Sequence, residues 1–343
     1  MMKALALTRP GELAYVDRPR PEPAPGEVRL RIRRIGYCGS DLNAFRGLNP
    51  VMTYPCILGH EIAAEIETVT PGVPPQFQPG QLVTVVPYTA CGHCASCKAD
   101  RPNACRNNQT LGVQRDGALV DFICVPWSKL LYSPKLTAAD YALMEPLSVG
   151  FHAVERGRVA AGETVCVLGS GMIGLGVIAG AALLRQARVI AVDVDNAKLA
   201  LARCAGATEV INTKTENLHE RLLDLTGGHG PQVMIEAVGL TETFETAVAE
   251  ASFCGRVVYV GYAKKPVTYD TKYFLLKELD ILGSRNASRK NFEEVMAVLE
   301  SGAYPTRETV TRVVPFAEAD RAMHDWLANP AQITKIQIEM GAA

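Results

Sequence analysis

Neither sign of charge dominates the sequence: 35 Lys and Arg stand against 36 Asp and Glu in 343 residues, a formal net charge of −1. A balanced chain lacks the electrostatic footprint of a nucleic-acid binder or of a protein held on an anionic membrane. No repeat of roughly 20–50 residues is visible, and 29 Gly with 21 Pro are too few for a low-complexity chain. The first apolar stretch, Ala4 to Leu7, is shorter than the roughly 7–15 residues of a secretory signal, so a cytoplasmic protein is expected. One charge-free run, Val165 to Leu184, reaches the 20 residues of a membrane span. Five glycines interrupt it and its first part has strand character, which argues against a span. What remains is ordinary globular composition, 48% hydrophobic and 21% charged with only 6% aromatic. The length suits two domains of about 150 residues each.

Short apolar or alternating runs at 3–7, 12–16, 27–35, 62–69, 82–86 and 119–125 read as strands, separated by Pro and Gly. Within them, the proline-rich segment 20–26 is a stiff connector, because proline fixes φ and cannot donate to a ladder. From Glu163 onward the character changes. Strand-like runs at 165–168, 189–192, 233–237, 256–260 and 279–282 alternate with helical stretches at 172–184, 196–204 and 241–252. That alternation predicts a parallel sheet covered on both faces. After Gly283 two amphipathic helices are expected, the first capped by Asn291 and Glu294 and stopped at Gly302, the second over 316–328 before Pro330. This tail is expected to return to the first domain.

Gly169-Ser170-Gly171-Met172-Ile173-Gly174 is a G-x-G-x-x-G that follows a hydrophobic strand and opens a helix, the context the motif requires. Gly169 and Gly171 allow a tight turn whose N–H groups approach a pyrophosphate, and Gly174 lets helix and strand pack closely. Asp193 closes the next strand, where a carboxylate accepts hydrogen bonds from a ribose diol and repels a 2′-phosphate. The reading is NAD rather than NADP.

Of the ten cysteines, four crowd together as Cys91-x2-Cys94-x2-Cys97-x7-Cys105, a cluster that in such a chain reads as metal ligands rather than disulfides. Four thiolates in one loop suit a closed tetrahedral zinc site. His93 duplicates a ligand type already supplied and is expected to face solvent. A second constellation is scattered: Cys38-Gly39-Ser40-Asp41 after a strand, Gly59-His60-Glu61 before one, and Met144-Glu145-Pro146 further on. Singly, each has a bland explanation as a buried thiol, a core histidine or a helix cap. Together they supply the S, N and O donors that a catalytic zinc takes while keeping one position open.

These elements occur in the order they have in the zinc-dependent medium-chain dehydrogenase/reductase superfamily, which the chain resembles over essentially its whole length. The resemblance implies an α/β fold: a Rossmann-type doubly wound parallel sheet, 151–287, inserted in a β-rich GroES-like catalytic domain made of 1–150 and 288–343. A structural zinc lobe would cover about 88–108. It further implies two zinc ions per chain, one held by the four cysteines and one by Cys38 and His60 with Glu61 and Glu145 as alternating or water-mediated ligands. Asp41 would bond the other nitrogen of His60, and Ser40 would bond the substrate hydroxyl and begin proton exit. Met172, Ile173, Val238, Val260, Gly261 and Ser284 would join the glycines and Asp193 around NAD. In related alcohol dehydrogenases a histidine often stands five residues after the cysteine; here it is Asn43, which cannot titrate, so the proton needs another way out.

Within the superfamily the chain is most similar to the polyol and sugar-acid branch. Val86-Pro87-Tyr88, Gly112-Val113 and Gly283-Ser284-Arg285-Asn286-Ala287 resemble the 5-dehydrogenases of L-galactonate, L-gulonate or L-idonate. The planar fork of Arg285 could pair a substrate carboxylate in two parallel hydrogen bonds, with Asn286 beside it, although an Arg holding a loop carboxylate or the cofactor fits equally. The alternatives are a neutral polyol or a sugar phosphate as substrate, and a non-catalytic dinucleotide-binding protein. Magnitudes favour metal activation of the alcohol. Zinc lowers the pKa of bound water from ~16 to ~7, roughly 12 kcal/mol at ~1.4 kcal/mol per unit. A hydrogen bond to Ser40 would supply only about 1.5–3 kcal/mol. The resemblance also implies a homodimer or homotetramer acting on a small molecule.

Overall fold

The computed structural model describes residues 1–341. The chain forms two compact units, Met1–Glu145 with Thr306–Ala343, and Pro146–Pro305.

The first unit holds β1 (Met2–Arg9), β2 (Glu12–Arg18), β3 (Glu27–Tyr37), β4 (Cys56–Ile57), β5 (Glu61–Val69), β6 (Leu82–Val85), β7 (Phe122–Pro126) and β8 (Leu130–Tyr132). The second holds β9 (Thr164–Leu168), β10 (Arg188–Asp193), β11 (Glu209–Asn212), β12 (Val233–Glu236), β13 (Arg256–Tyr259) and β14 (Asp280–Gly283). The chain then comes back to the first unit with β15 (Val310–Pro315) and β16 (Lys335–Glu339).

β3 is the spine of the first unit. Val28, Leu30 and Ile32 are buried and alternate with half-buried arginines, the period-two pattern of a strand with one face on a core. A register shift between Ile32 and Arg34 breaks the alternation, and Ile35, Gly36 and Tyr37 are then all buried. Around β3 runs a seven-stranded sheet in the order β15-β16-β3-β5-β6-β8, with β7 also paired to β3. Gly36 therefore has Glu61 of β5 opposite it on one side and Gln337 of β16 on the other. A smaller sheet, β2-β1-β4, packs its Leu5 and Leu7 into the same core.

In the second unit all neighbours are parallel and the order is β11-β10-β9-β12-β13-β14. The chain moves outward to β11 and then crosses back to β12, so the switch point lies between β9 and β12, where ligands of such sheets bind. Val165, Cys166 and Val167 are fully enclosed, as expected for a central strand covered on both faces. The apolar run that reached membrane length divides here into β9, the glycine turn, the helix Met172–Ala179 and one π-turn, Gly180–Leu184. Among the described residues no helix is long and apolar enough to cross a membrane.

Two details differ from the pattern-based expectations. The helix Arg289–Glu300 is capped by Ser288 with Asn291 as its reciprocal partner, not by Asn291 with Glu294. Asn291 is buried and bonds His152 Nδ1 at 3.1 Å and Glu155 at 2.8 Å, so this helix clusters with the second unit and the chain passes to the first only at Thr306. Several elements carried no strong pattern: the short β11, the helix Leu218–Leu225, the helix Ala138–Arg156 with Pro146 inside it, and the closing strands β15 and β16.

Candidate metal centres and dinucleotide turn

Two strands of the first unit, β3 and β5, deliver Cys38, His60 and Glu61 to one place, while Glu145 is carried on the helix Ala138–Arg156. β3 ends at Tyr37, and Cys38 becomes the N-cap of the helix Gly39–Phe45, its sulfur accepting from Ser40 N–H at 3.5 Å. Asp41 closes the reciprocal cap by accepting from the Cys38 N–H at 2.9 Å. His60 stands immediately before β5, which begins with Glu61. The Cys38 sulfur, a His60 ring nitrogen and a Glu61 carboxylate oxygen all lie within 4.8 Å of one another. Ser40 Oγ is 3.4 Å from His60 Nε2. Asp41 Oδ1 approaches His60 Nδ1 to 3.8 Å, too long for a hydrogen bond, and neither atom has such a partner among the described residues. Asp41 is thus neighbour to the imidazole but bonds the helix cap.

Two side chains that sequence pattern did not single out for a role complete the pocket. Lys335, the first residue of β16, is 2% exposed. Its Nζ lies 2.7 Å from both oxygens of the fully enclosed Glu61 and 3.0 Å from the Tyr37 carbonyl, which uses all three of its protons. The space for that carboxylate exists because residue 36 is glycine: a Cβ there would overlap Glu61 Oε2. The hydroxyl of Tyr88 donates to Glu145 Oε1. Burial pushes the carboxyls of Asp41 and Glu145 up, and the positive charge of a protonated His60 offsets only part of that, so both stay above the ordinary carboxylate range. Lys335 and His60 are opposed by burial too, yet both are raised, chiefly by Glu61 for the ammonium and by Asp41 and Cys38 for the imidazole. A sulfur, an imidazole and a carboxylate gathered where buried acids outnumber ammonium groups form a donor set that suits zinc.

The four-cysteine loop closes as its spacing demands. Cys91, Cys94, Cys97 and Cys105 bring their sulfurs within 4.8 Å of one another. Cys94 caps the short helix Ala95–Lys98, its sulfur 3.5 Å from that of Cys97 and 3.7 Å from that of Cys105. A hydrogen bond with Ser96 is the first cause holding the Cys94 thiol down at about 5, which favours the thiolate a metal needs. His93 is exposed, bonded to the Cys91 carbonyl at 2.8 Å.

In the second unit the glycine turn lies at the end of β9. Gly169 has φ 95°, and a Cβ on Gly174 would overlap the Gly169 carbonyl oxygen. Gly171 caps the helix Met172–Ala179 without a side-chain hydrogen bond, so the first N–H groups of that helix remain for an anion. Asp193 ends β10; its Oδ2 accepts the Ser170 N–H at 2.8 Å and its Oδ1 accepts the Val194 N–H at 2.7 Å. Met172 and Ile173 are half-buried on the first helical turn, Val238 is exposed just past β12, and Val260 and Gly261 follow β13. Ser284 N–H bonds the Tyr259 carbonyl at 2.9 Å just beyond β14, followed by the exposed Arg285 and by Asn286 at φ 52°.

A family model for the zinc-binding dehydrogenases matches residues 173–301, and one for the alcohol dehydrogenase GroES-like domain matches residues 24–135. The chain is 32% identical to the L-galactonate-5-dehydrogenase of Escherichia coli, with 92% of each chain covered. The chain belongs to the zinc-dependent medium-chain dehydrogenases. Sorbitol dehydrogenase of Bacillus subtilis is 30% identical over 98% of this dehydrogenase and 97% of its own length. A short chain alcohol dehydrogenase of Escherichia coli, solved in complex with NADH, superposes with TM-score 0.90 at 28% identity, covering 98% of this chain and 99% of that one. The dehydrogenase is thus of the polyol and sugar type, with a GroES-like unit and a Rossmann unit.

Removing one partner of an enclosed ion pair leaves a charge with neither water nor counter-ion. Lys335→Met is expected to lose about 3–5 kcal/mol against denaturant, and the double variant Lys335→Met/Glu61→Gln to recover part of it. A single variant as stable as the parent would show that the pair does not hold this unit together.

Proposed function

We propose that this dehydrogenase oxidises a secondary alcohol of a hexonate, such as L-galactonate, L-gulonate or L-idonate, with NAD as acceptor. The observation that carries the redox reading is the donor set of half-buried Cys38 and buried His60 and Glu61 with Ser40 beside it, in a chain that also bears a glycine turn after β9 and Asp193 at the end of β10. When bound, zinc supplies a Lewis acid for the carbinol oxygen and the nicotinamide supplies the hydride acceptor. Cys38 and His60 would hold the ion, with Glu61 and Glu145 as exchangeable carboxylates, while the four-cysteine loop would hold the second ion and do no chemistry. Ser40 Oγ would take up the substrate's hydroxyl proton as it releases its own toward water or the cofactor ribose, because Asn43 cannot titrate. Lys335 keeps Glu61 neutralised whenever its carboxylate is not on the metal. Asp193 receives the adenosine ribose hydroxyls and disfavours a 2′-phosphate.

Arg285 supports the sugar-acid choice, as an exposed guanidinium two residues past β14 that suits a substrate carboxylate, together with the L-galactonate-5-dehydrogenase relative. The sorbitol dehydrogenase relative favours a neutral polyol instead. A panel of hexonates, polyols and their phosphates, read by NADH production, separates the two. L-galactonate is expected to exceed sorbitol in kcat/KM by about 100-fold, a difference of about 2.7 kcal/mol, and Arg285→Ala is expected to narrow that gap. Equal losses on galactonate and sorbitol would end the carboxylate-clamp reading. Metal analysis should find two zinc ions per chain, falling to one in Cys38→Ala with loss of turnover. Retained turnover in that variant would remove Cys38 from the catalytic site.

A homodimer or homotetramer is proposed as well, through the outer edge of β14. That strand ends the sheet with its backbone edge open, and Leu275, Leu276 and Ile281 are exposed close by in sequence. Sedimentation equilibrium should report a multiple of the chain mass, lost in Ile281→Lys; a monomer at micromolar concentration would contradict the proposal.

A further inference from the structure

We propose that Glu236 is a positioning residue for the nicotinamide half of the dinucleotide, an inference that rests on the dinucleotide reading above. Glu236 ends β12 and is fully enclosed. Its Oε1 accepts three hydrogen bonds, from the N–H groups of Val238 at 2.8 Å and Gly239 at 2.7 Å and from the Thr243 hydroxyl at 2.7 Å. One oxygen thereby ties the turn after β12 to the first turn of the helix Thr241–Glu250. The backbone carbonyl of Glu236 accepts the N–H groups of Val260 and Gly261, both at 3.0 Å, and so fixes the segment after β13 to the same point. Oε2 has no hydrogen-bond partner among the described residues and lies against Gly261, where a Cβ would overlap it. An enclosed carboxylate oxygen without a donor is costly, and such costs are retained where the arrangement serves something other than stability.

What the carboxylate holds in place is apolar and open. Val238 is 44% exposed, Leu240 56% and Tyr262 76%. These residues adjoin the glycine turn and each other: a Cβ on Gly169 would come 2.7 Å from Val238 Cγ2, and one on Gly239 would come 3.1 Å from Tyr262 N. In a doubly wound sheet each half takes one nucleotide, with the pyrophosphate at the switch between them. Asp193 marks β10 and its side of the sheet as the adenosine half, so β12 and β13 serve the nicotinamide half. Glu236 shapes that apolar seat from beneath, through the backbone of 238, 239, 260 and 261, without meeting the ring itself.

The test compares NADH with ADP-ribose, which lacks the nicotinamide, on the full zinc-loaded chain, with thermal melting recorded alongside. In Glu236→Ala the Kd for NADH is expected to rise at least about 10-fold while that for ADP-ribose changes less than about 2-fold. Glu236→Gln keeps an acceptor oxygen toward Val238, Gly239 and Thr243 and is expected to stay within about 3-fold of the parent. A Glu236→Ala chain that keeps its NADH affinity, or that loses both ligands alike, overturns the positioning role. So does a Glu236→Gln chain as impaired as Glu236→Ala. A parent chain that binds neither ligand overturns the dinucleotide reading and this proposal with it, whereas the other failures strike this proposal alone.

Discussion

Buried charge is the constraint around which the first unit is organised. Asp41 and Glu61 are fully enclosed, Glu145 is 5% exposed, and a single ammonium, Lys335, sits among them. A carboxylate taken out of water without a partner costs more than any local packing returns. Lys335 answers for Glu61 with two contacts of 2.7 Å, the helix cap answers for one oxygen of Asp41, and Tyr88 answers for one oxygen of Glu145. These enclosed acids, with the Cys38 sulfur and His60 beside them, form surroundings that suit a dication. A zinc ion held there, as proposed above, would take part in the electrostatic balance of this unit as well as in its chemistry.

The position of Lys335 makes that balance depend on chain topology. β16 lies beside β3 although roughly 300 residues of chain separate them, and it is the strand that brings the ammonium across to Glu61. Glu61 meets its counter-ion only through the strand that returns after the second unit. A long return of this kind is costly in loop entropy only logarithmically, so a fold can place its electrostatic keystone at the far end of the sequence at modest expense. The same return strand buries Ile336 and Ile338 in the core of the first unit, so packing and charge neutralisation arrive together.

What could be read from the sequence follows from how local each signal is. The four cysteines, the glycine turn and the alternating strands of the second unit are encoded within windows of about six to fifteen residues, and periodicity or spacing exposes them. The Cys38, His60 and Glu61 fragments were legible only through their order along the chain, because nothing in any one of them specifies a partner more than twenty residues away. Lys335 carried no signal at all: it opens Lys335–Glu339, a strand that sequence pattern did not single out, and only the register with β3 reveals its purpose. Glu236 was hidden in the same way at the end of a four-residue strand. The cap of the helix Arg289–Glu300 was misread because Asn291 is a good capping residue in either position, and the tertiary contacts to His152 and Glu155 decided which role it took.

Both units use one device to seat an oxygen where a side chain would otherwise be. Gly36 leaves room for the Glu61 carboxylate, Gly174 for the carbonyl of Gly169, and Gly261 for the enclosed oxygen of Glu236. In each case a methyl group would fall on the oxygen itself, so an alanine would force that oxygen to move, an effect of volume rather than of backbone torsion. The consequence is that these glycines and their oxygens form inseparable pairs. Glu61 meets Lys335 above Gly36, and Glu236 holds the turn after β12 beside Gly261. A glycine motif in this chain thus records the presence of a neighbouring acid as much as the approach of a phosphate, and the first kind leaves no trace in a pattern written for the second.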